Sequence, residues 1–397
     1  MSTFRRRDLF LLDPDVIFLN HGSFGACPRP VLEIFQEWQR ELERQPVEFL
    51  GRRFKGLLRD AREALAAYVG ADPDNLVYVT NATTGLNVIA RSLPLAAGDE
   101  VLATDHEYGA VDRTWQFVCA QRGARYVRAP VPVPLTAPQE IVEAIWRQVT
   151  PRTRVLTTSH ITSPTALIFP IAEMVRRARE RGILTVIDGA HAPGQIPLSL
   201  RDLGVDFYVA NCHKWMCAPK GSAFLYARPE VQALLRPLIV SWGWPLQGDG
   251  GMAVSLWPDD PSPFLREQEW QGTRDIAAFL ATPAAIRFLQ SPEWAKVPEV
   301  CHALAREARA AVAALAGLAP LSPDGPEWYA QMVSLPLPVT DGPSAQRAFY
   351  DQRKIEVPIV TWNDHRLLRI SVQGYNTPED IAALVAALRD LLAAPRE

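Results

Sequence analysis

Residues 188–221 read DGAHAPGQIPLSLRDLGVDFYVANCHKWMCAPKG. This stretch opens on an acid, Asp188, and holds two more with two histidines, two lysines and two cysteines. The acid closes one apolar run, ILTVID, and the second histidine and first lysine follow another, VDFYVAN. Both runs have the length and composition of buried strands. A metal site, a redox pair or an organic cofactor would each account for such a cluster, and the rest of the chain decides between them.

Working outward, strand and helix patterns alternate. NLVYVT, DEVLAT, RYVRAPV, TRVLTTSHI, ILTVIDGA, VDFYVANCHK and GSAFLYA read as strands. TTGLNVIARSL, AVDRTWQFVCAQRG, APQEIVEAIWRQVT and IAEMVRRARERG carry helical spacing between them. That order predicts βαβ units and a mainly parallel sheet. Residues 30–68 predict one or two long surface helices. From about residue 240, SWGWPLQGDGGMAVSLWPDDPSPF has no period and is rich in Gly, Pro and Trp, a long loop of the kind that often serves function. The tail alternates strand and helix and ends in a helix beginning at TPED, with Thr377 as N-cap and Pro378 in the first turn. The α/β part is expected to be a large domain over residues 30–275. Residues 1–29 and 276–397 are expected to form a smaller α+β domain with the N-terminal segment.

At 397 residues the chain is long enough for about two cores. A net charge of −3 gives no reason to expect nucleic acid or an anionic membrane as partner. Five cysteines without paired spacing make no disulfide framework, which points to a reducing, cytoplasmic setting. TFRRRDLFLL has the charge of a twin-arginine signal, but Asp13 and Asp15 interrupt the apolar stretch such a signal needs. No apolar run is long enough to span a membrane.

In open parallel sheets, ligands sit beyond the carboxyl ends of the strands. NATTG, DHEYG, SHITSPT, Asp188 with His191, and Asn211 with His213 and Lys214 each follow a strand, so five strands aim polar groups at one place. A metal there is disfavoured, because Lys214 lies between Cys212 and Cys217 and would set an ammonium beside a cation. A redox pair lacks C-x-x-C, and the cysteines read as small buried hydrophobes. Pyridoxal phosphate has a candidate for every requirement. Lys214 can reach its aldehyde. Asp188 can hold the pyridine nitrogen protonated, which gives a buried acid a cationic partner. NATTG opens a helix whose N–H groups, with the Thr83 hydroxyl, suit a phosphate. His106 can stack on the ring.

VIDGAHAPG followed by NCHKWMCAPKG resembles the fold-type I pyridoxal-phosphate enzymes of aminotransferase class V, including the spacing from Asp188 to Lys214. NHGSFGACP, SHITSPTA, SWGW and WQGTRD together resemble the isopenicillin N epimerase-like branch. The resemblance covers nearly the whole chain. It implies a seven-stranded, mainly parallel sheet between helices. It implies that Lys214 forms the internal aldimine and moves the Cα proton, that Asp188 pairs with the pyridine nitrogen, and that Ala190 packs under the ring with His106 above. Ala82 and Thr83 would hold the phosphate, with Asn211 and His213 adding contacts. Ser163 and His191 would lie near the phenolic oxygen. Gln271, Gly272 and Thr273 would reach the neighbouring subunit's phosphate, which implies a homodimer. Arg369 would grip the carboxylate of an amino-acid substrate. His21, Ser23, Phe24 and Trp242 complete the substrate side, with Trp242 and Trp244 as a wall or plain core.

Lys220 is the rival for the aldimine, but APKG reads as a turn. His160, His302 and His365 read as structural or surface residues. Sulfur transfer to a protein thiol needs a mobile cysteine after the lysine, and Cys301 falls in a helix instead. Racemisation needs an acid on the second face of Cα, for which His21, Tyr108 or a water is available. The reading is an amino-acid epimerase or racemase, with a C–S lyase second and an aminotransferase third. A binding or regulatory protein on the same fold is the non-enzymatic alternative, against which the retained Lys214 and Asp188 argue.

Overall fold

In the computed structural model, which describes residues 6–244 and 262–393, the apolar runs form twelve strands among the described residues. These are β1 Ile17–Phe18, β2 Leu76–Val79, β3 Glu100–Thr104, β4 Arg125–Ala129, β5 Thr153–Ser159, β6 Leu184–Asp188, β7 Phe207–Asn211, β8 Ala223–Ala227, β9 Met332–Pro336, β10 Ile355–Glu356, β11 Ile359–Trp362 and β12 His365–Ser371. Seven of them pair in the order β2-β8-β7-β6-β5-β3-β4. Every pairing is parallel except the two made by β8. Central strands buried on both faces read as unbroken apolar runs because alternate residues feed two cores. In β7, Phe207 and Val209 enter one core, and Tyr208 and Ala210 the other.

Helix boundaries follow local chemistry. Helix Ala82–Ser92 starts at Asn81, whose side chain accepts from the Thr84 N–H at 2.8 Å. Helix Gly109–Arg122 stops at Gly123, which takes φ 66° and returns its N–H to Cys119. Of the two charged helices expected on the surface, Arg29–Arg44 is largely so. The second, Phe54–Val69, instead buries Phe54, Leu58, Ala61, Leu65 and Val69. Its Arg62 is buried too, in an ion pair with Glu269. Charge count misled there because an apolar stripe and a paired arginine share one helix.

A second sheet, β11-β12-β9, is antiparallel, and Val333, Leu335, Leu368 and Ile370 join it to the core of the large sheet. Leu368 and Ile370 enter that core, so Arg369 between them faces the other way. The chain start attaches here: β1 pairs with β10, and the Leu19 carbonyl accepts the Ser371 N–H at 2.9 Å. Cys301 is buried in helix Val297–Ala316. Residues 245–261, the greater part of the expected tryptophan loop, lie outside the described residues. No helix among the described residues is long and apolar enough to cross a membrane.

Residues 213–216, which carry Lys214, run between two glycines. Gly25 takes φ 70° and ψ 160°, and Gly194 takes φ 89°. A Cβ on Gly25 would run into the His213 carbonyl oxygen, and one on Gly194 into that of Trp215. Gly25→Ala should therefore cost at least about 1–3 kcal/mol of stability in urea unfolding, since only glycine adopts that conformation readily. Gly56→Ala is the control with the opposite sign: it lies inside helix Phe54–Val69 with open space at its Cβ. It should stabilise by about 0.5–1 kcal/mol. Equal effects at the two positions would contradict the clamp.

Candidate active site

A cavity of about 290 Å³ opens at the carboxyl ends of the parallel strands. Asn81, Ala82 and Thr83 line it after β2, and Tyr108 after β3. Ser159, Ile161 and Ser163 follow from β5, Asp188, Ala190 and His191 from β6, and Asn211, His213 and Lys214 from β7. Ser23 and Phe24, from the NHGSFG turn, close one side.

Lys214 presents its amine to this cavity. Burial, and then the Arg369 cation, lower its pKa to about 7, against a smaller opposing pull from Asp188. The His191 Nε2 lies 3.2 Å from Nζ. Asp188 is 7% exposed, and its carboxylate accepts the Ala190 N–H at 2.9 Å. Among the described residues it has no cationic side chain within ion-pair distance, and burial raises its pKa. A cationic ring nitrogen is the partner such a carboxylate lacks.

Arg369 is the complementary case. It is buried, donating to the Ser163 carbonyl at 2.9 Å, the Ser163 hydroxyl at 3.0 Å and the Ser23 hydroxyl at 2.9 Å. Among the described residues its Nε has no partner and no acid pairs with it. A buried guanidinium held only by neutral oxygens has unused capacity for a carboxylate. At the other end, the N-terminus of helix Ala82–Ser92 faces the cavity with Thr83 exposed on its rim. The Asn211 side chain holds the Ala82 N–H at 2.8 Å. This is a suitable cradle for a phosphate.

Seven expected site residues are not among those lining the cavity: Arg369, which reaches it through Ser23 and Ser163, and six others. His106 does not line the cavity. It is fully buried, its Nδ1 accepting from Thr165 at 2.7 Å and its Nε2–H donating to Val131 at 3.0 Å, with Trp362 4.4 Å from its ring. Tyr108, two residues on, lines the cavity instead. His21 is also fully buried, between the Tyr375 hydroxyl at 2.9 Å and the Lys214 carbonyl at 3.1 Å, and burial keeps it neutral. It supports the Lys214 backbone rather than meeting substrate. Trp242 is 57% exposed and away from the cavity of its own chain.

Gln271, Gly272 and Thr273 do not line it either. Lys220 donates to the Gly25 carbonyl at 2.8 Å and is also absent from the cavity. One buried acid escaped the sequence reading. Glu107 accepts from Thr104 at 2.6 Å and from Ser159 at 2.7 Å, and burial pushes its pKa up to about 7, with Asp188 adding to the rise. Only its place in DHEYG, beside Tyr108, marked it. Among the described residues no group of three or more His, Cys, Asp or Glu side chains is arranged to hold a metal.

The model of the aminotransferase class-V family matches residues 23–384. The chain is 38% identical to isopenicillin N epimerase of Amycolatopsis lactamdurans, with 97% of each chain covered. It is 29% identical to a probable chloroplastic L-cysteine desulfhydrase of Arabidopsis thaliana, over 96% of this chain and 84% of that one. Among solved structures it shares the fold of a C-DES lysine-to-alanine mutant carrying glycine linked to its pyridoxal-phosphate cofactor. The TM-score is 0.79 at 22% identity, over 97% of this chain and 99% of that one.

The lowered pKa of Lys214 sets a pH dependence. The free amine grows as pH rises through about 7 instead of near the ordinary 10.5. Capture of pyridoxal 5′-phosphate by the cofactor-free chain, trapped with borohydride and mapped to Lys214, should show its midpoint there. Arg369→Gln removes a cation that lowers this pKa, so the midpoint should move up. A wild-type midpoint above 9 would contradict the environment described.

Proposed function

The chain belongs to the aminotransferase class-V family, and on that premise we propose that it is a pyridoxal-phosphate enzyme acting at the α-carbon of an amino acid, of the isopenicillin N epimerase kind. The observation that carries the reading is the pairing, in one cavity, of an amine lowered towards neutrality with a buried acid that makes no ion pair among the described residues. Bound there, the cofactor supplies an electron-accepting ring that makes the Cα proton of an attached amino acid acidic.

The chain's own residues do the rest. Asp188 keeps the ring nitrogen protonated. The helix end at Ala82 and Thr83, with Asn211 and His213, holds the phosphate. Ala190, on the cavity wall, would pack under the ring, and Ser163 and His191, also on the wall, would lie near its phenolic oxygen. Arg369 takes the substrate carboxylate, which supplies the anion it lacks. Lys214 serves one face of Cα, taking or giving its proton at Nζ. For inversion a second face must be served, and of the side chains considered only Tyr108 lines the cavity, so we assign that proton to its hydroxyl. The five free cysteines agree with a reducing, cytoplasmic setting.

The likeness to a cysteine desulfhydrase supports a second reading, β-elimination on a cysteine derivative, for which Lys214 suffices as base. Cys301, buried in its helix, has no route to the cavity as a sulfur acceptor. We further propose a homodimer in which Gln271, Gly272 and Thr273 reach the neighbour's phosphate; the exposed position of Thr273 supports this.

The purified protein should be yellow, and borohydride should fix the colour on Lys214. Lys214→Ala should lower turnover by about 10²–10⁴-fold, the span of a positioned general base. A panel of amino acids, scored separately for D/L inversion, pyruvate with sulfide, and keto acid, decides the reaction. Tyr108→Phe should suppress inversion while sparing elimination; equal loss of both would remove Tyr108 from the second face. Thr273→Ala should weaken cofactor affinity, and a fully loaded, active monomer in sedimentation would refute the shared site.

A further inference from the structure

His191 and Trp215 meet beneath Lys214 in an arrangement that no role assigned so far uses. Trp215 is the next residue after Lys214, is fully buried, and aims its indole N–H at His191 Nδ1 over 3.2 Å. An indole nitrogen can only donate, so Nδ1 must be the acceptor and carries no proton. His191 is 3% exposed, and burial followed by the charge of Lys214 keeps it neutral. A neutral imidazole has one proton, which here sits on Nε2. That nitrogen is the one 3.2 Å from Lys214 Nζ. An ammonium would set donor against donor at this contact, whereas a free amine offers its lone pair.

We propose that Trp215 is a positioning residue whose indole N–H locks His191 in the Nε2–H form, so that His191 is a fixed donor to Lys214 and never a base in the cavity. The inference rests on the reading of Lys214 as the cofactor lysine.

Other charged and titratable groups act on the same amine. Arg369 from β12 and Asp188 at the end of β6 are the two that affect it directly. The neutral rings of His21 and His213 lie close enough to feel its charge. Glu107 bears on Asp188, and Tyr108 on Arg369. None of these touches His191 Nδ1, so Trp215→Phe separates the lock from them. Without the indole donor, the His191 proton can move to Nδ1 and Nε2 can accept from an ammonium, which favours protonated Lys214.

The test has two parts. Proton–nitrogen correlation spectra of the full chain, labelled with ¹⁵N-histidine and assigned with His191→Phe, report the tautomer directly. The wild type should show Nε2–H, and Trp215→Phe should lose it. In the cofactor-free full chain, the pH midpoint for methylation of Lys214 by formaldehyde and borohydride, read by peptide mass spectrometry, should rise by about one unit in Trp215→Phe. That is the tenfold change expected for one hydrogen bond. In a His191→Phe background the same substitution should leave the midpoint nearly unmoved.

A wild-type His191 protonated on Nδ1, or an undiminished shift in the His191→Phe background, would overturn the proposal. The wild-type spectrum keeps it open to refutation even if Trp215→Phe folds poorly. Neither measurement uses the cofactor, so a failure of the cofactor reading shows separately, as absence of colour in the purified protein.

Discussion

An amine is a nucleophile near neutral pH only if its charge is made unwelcome, and the molecule is arranged around that requirement at Lys214. Water is largely removed from the amine, and a second cation, Arg369, is set near it, outweighing the opposing pull of Asp188. An exposed lysine would need nothing from the fold. A lysine held free needs a floor of packed backbone, and residues 213–216 are pinned between Gly25 and Gly194 where no side chain could fit. His21, buried and neutral, adds a hydrogen bond at 3.1 Å to the Lys214 carbonyl.

The same economy of charge runs through the cavity and the layer behind it, where Glu107 and Arg369 touch the lining residues Ser159, Ser23 and Ser163. Asp188 is buried with one backbone donor, Glu107 with two hydroxyls, and Arg369 with two serines. Buried charges without counter-charges are unfavourable in a folded chain, and their survival here is best understood as capacity held for a ligand. A cofactor with a cationic ring nitrogen, and a substrate with a carboxylate, together supply the opposite charges that Asp188 and Arg369 lack. The stability of the empty protein and the affinity of the loaded one are therefore linked: what destabilises the first strengthens the second.

Two sheets bring these groups together. Arg369 belongs to β12, and its direction is set by Leu368 and Ile370 entering the shared core on either side of it. Its partners Ser23 and Ser163 come from the chain start and from the loop after β5. The substrate side of the cavity thus depends on the seam between the sheets, while the cofactor side depends on strand ends of the parallel sheet, with Gly25 and His21 from the chain start holding Lys214.

The alternation of apolar runs and helical spacing in the sequence was enough to determine a mainly parallel sheet, because burial on both faces leaves a continuous apolar signature. Asp188, His191, Asn211 and Lys214 were legible for a related reason: a polar residue directly after such a run has little freedom in where it points. The direction of side chains further along a loop was not legible. DHEYG offers His106, Glu107 and Tyr108 in succession, and only the path of the chain after β3 decides that the tyrosine reaches the cavity while the histidine turns under Trp362. NHGSFG likewise marks a turn without saying that Ser23 faces Arg369 and His21 faces away. Trp215 carried no signal beyond its neighbour Lys214, since its bond to His191 joins residues 24 apart across a turn. Local pattern is written by neighbours in the chain, and these contacts are written by packing between segments that the chain keeps far apart.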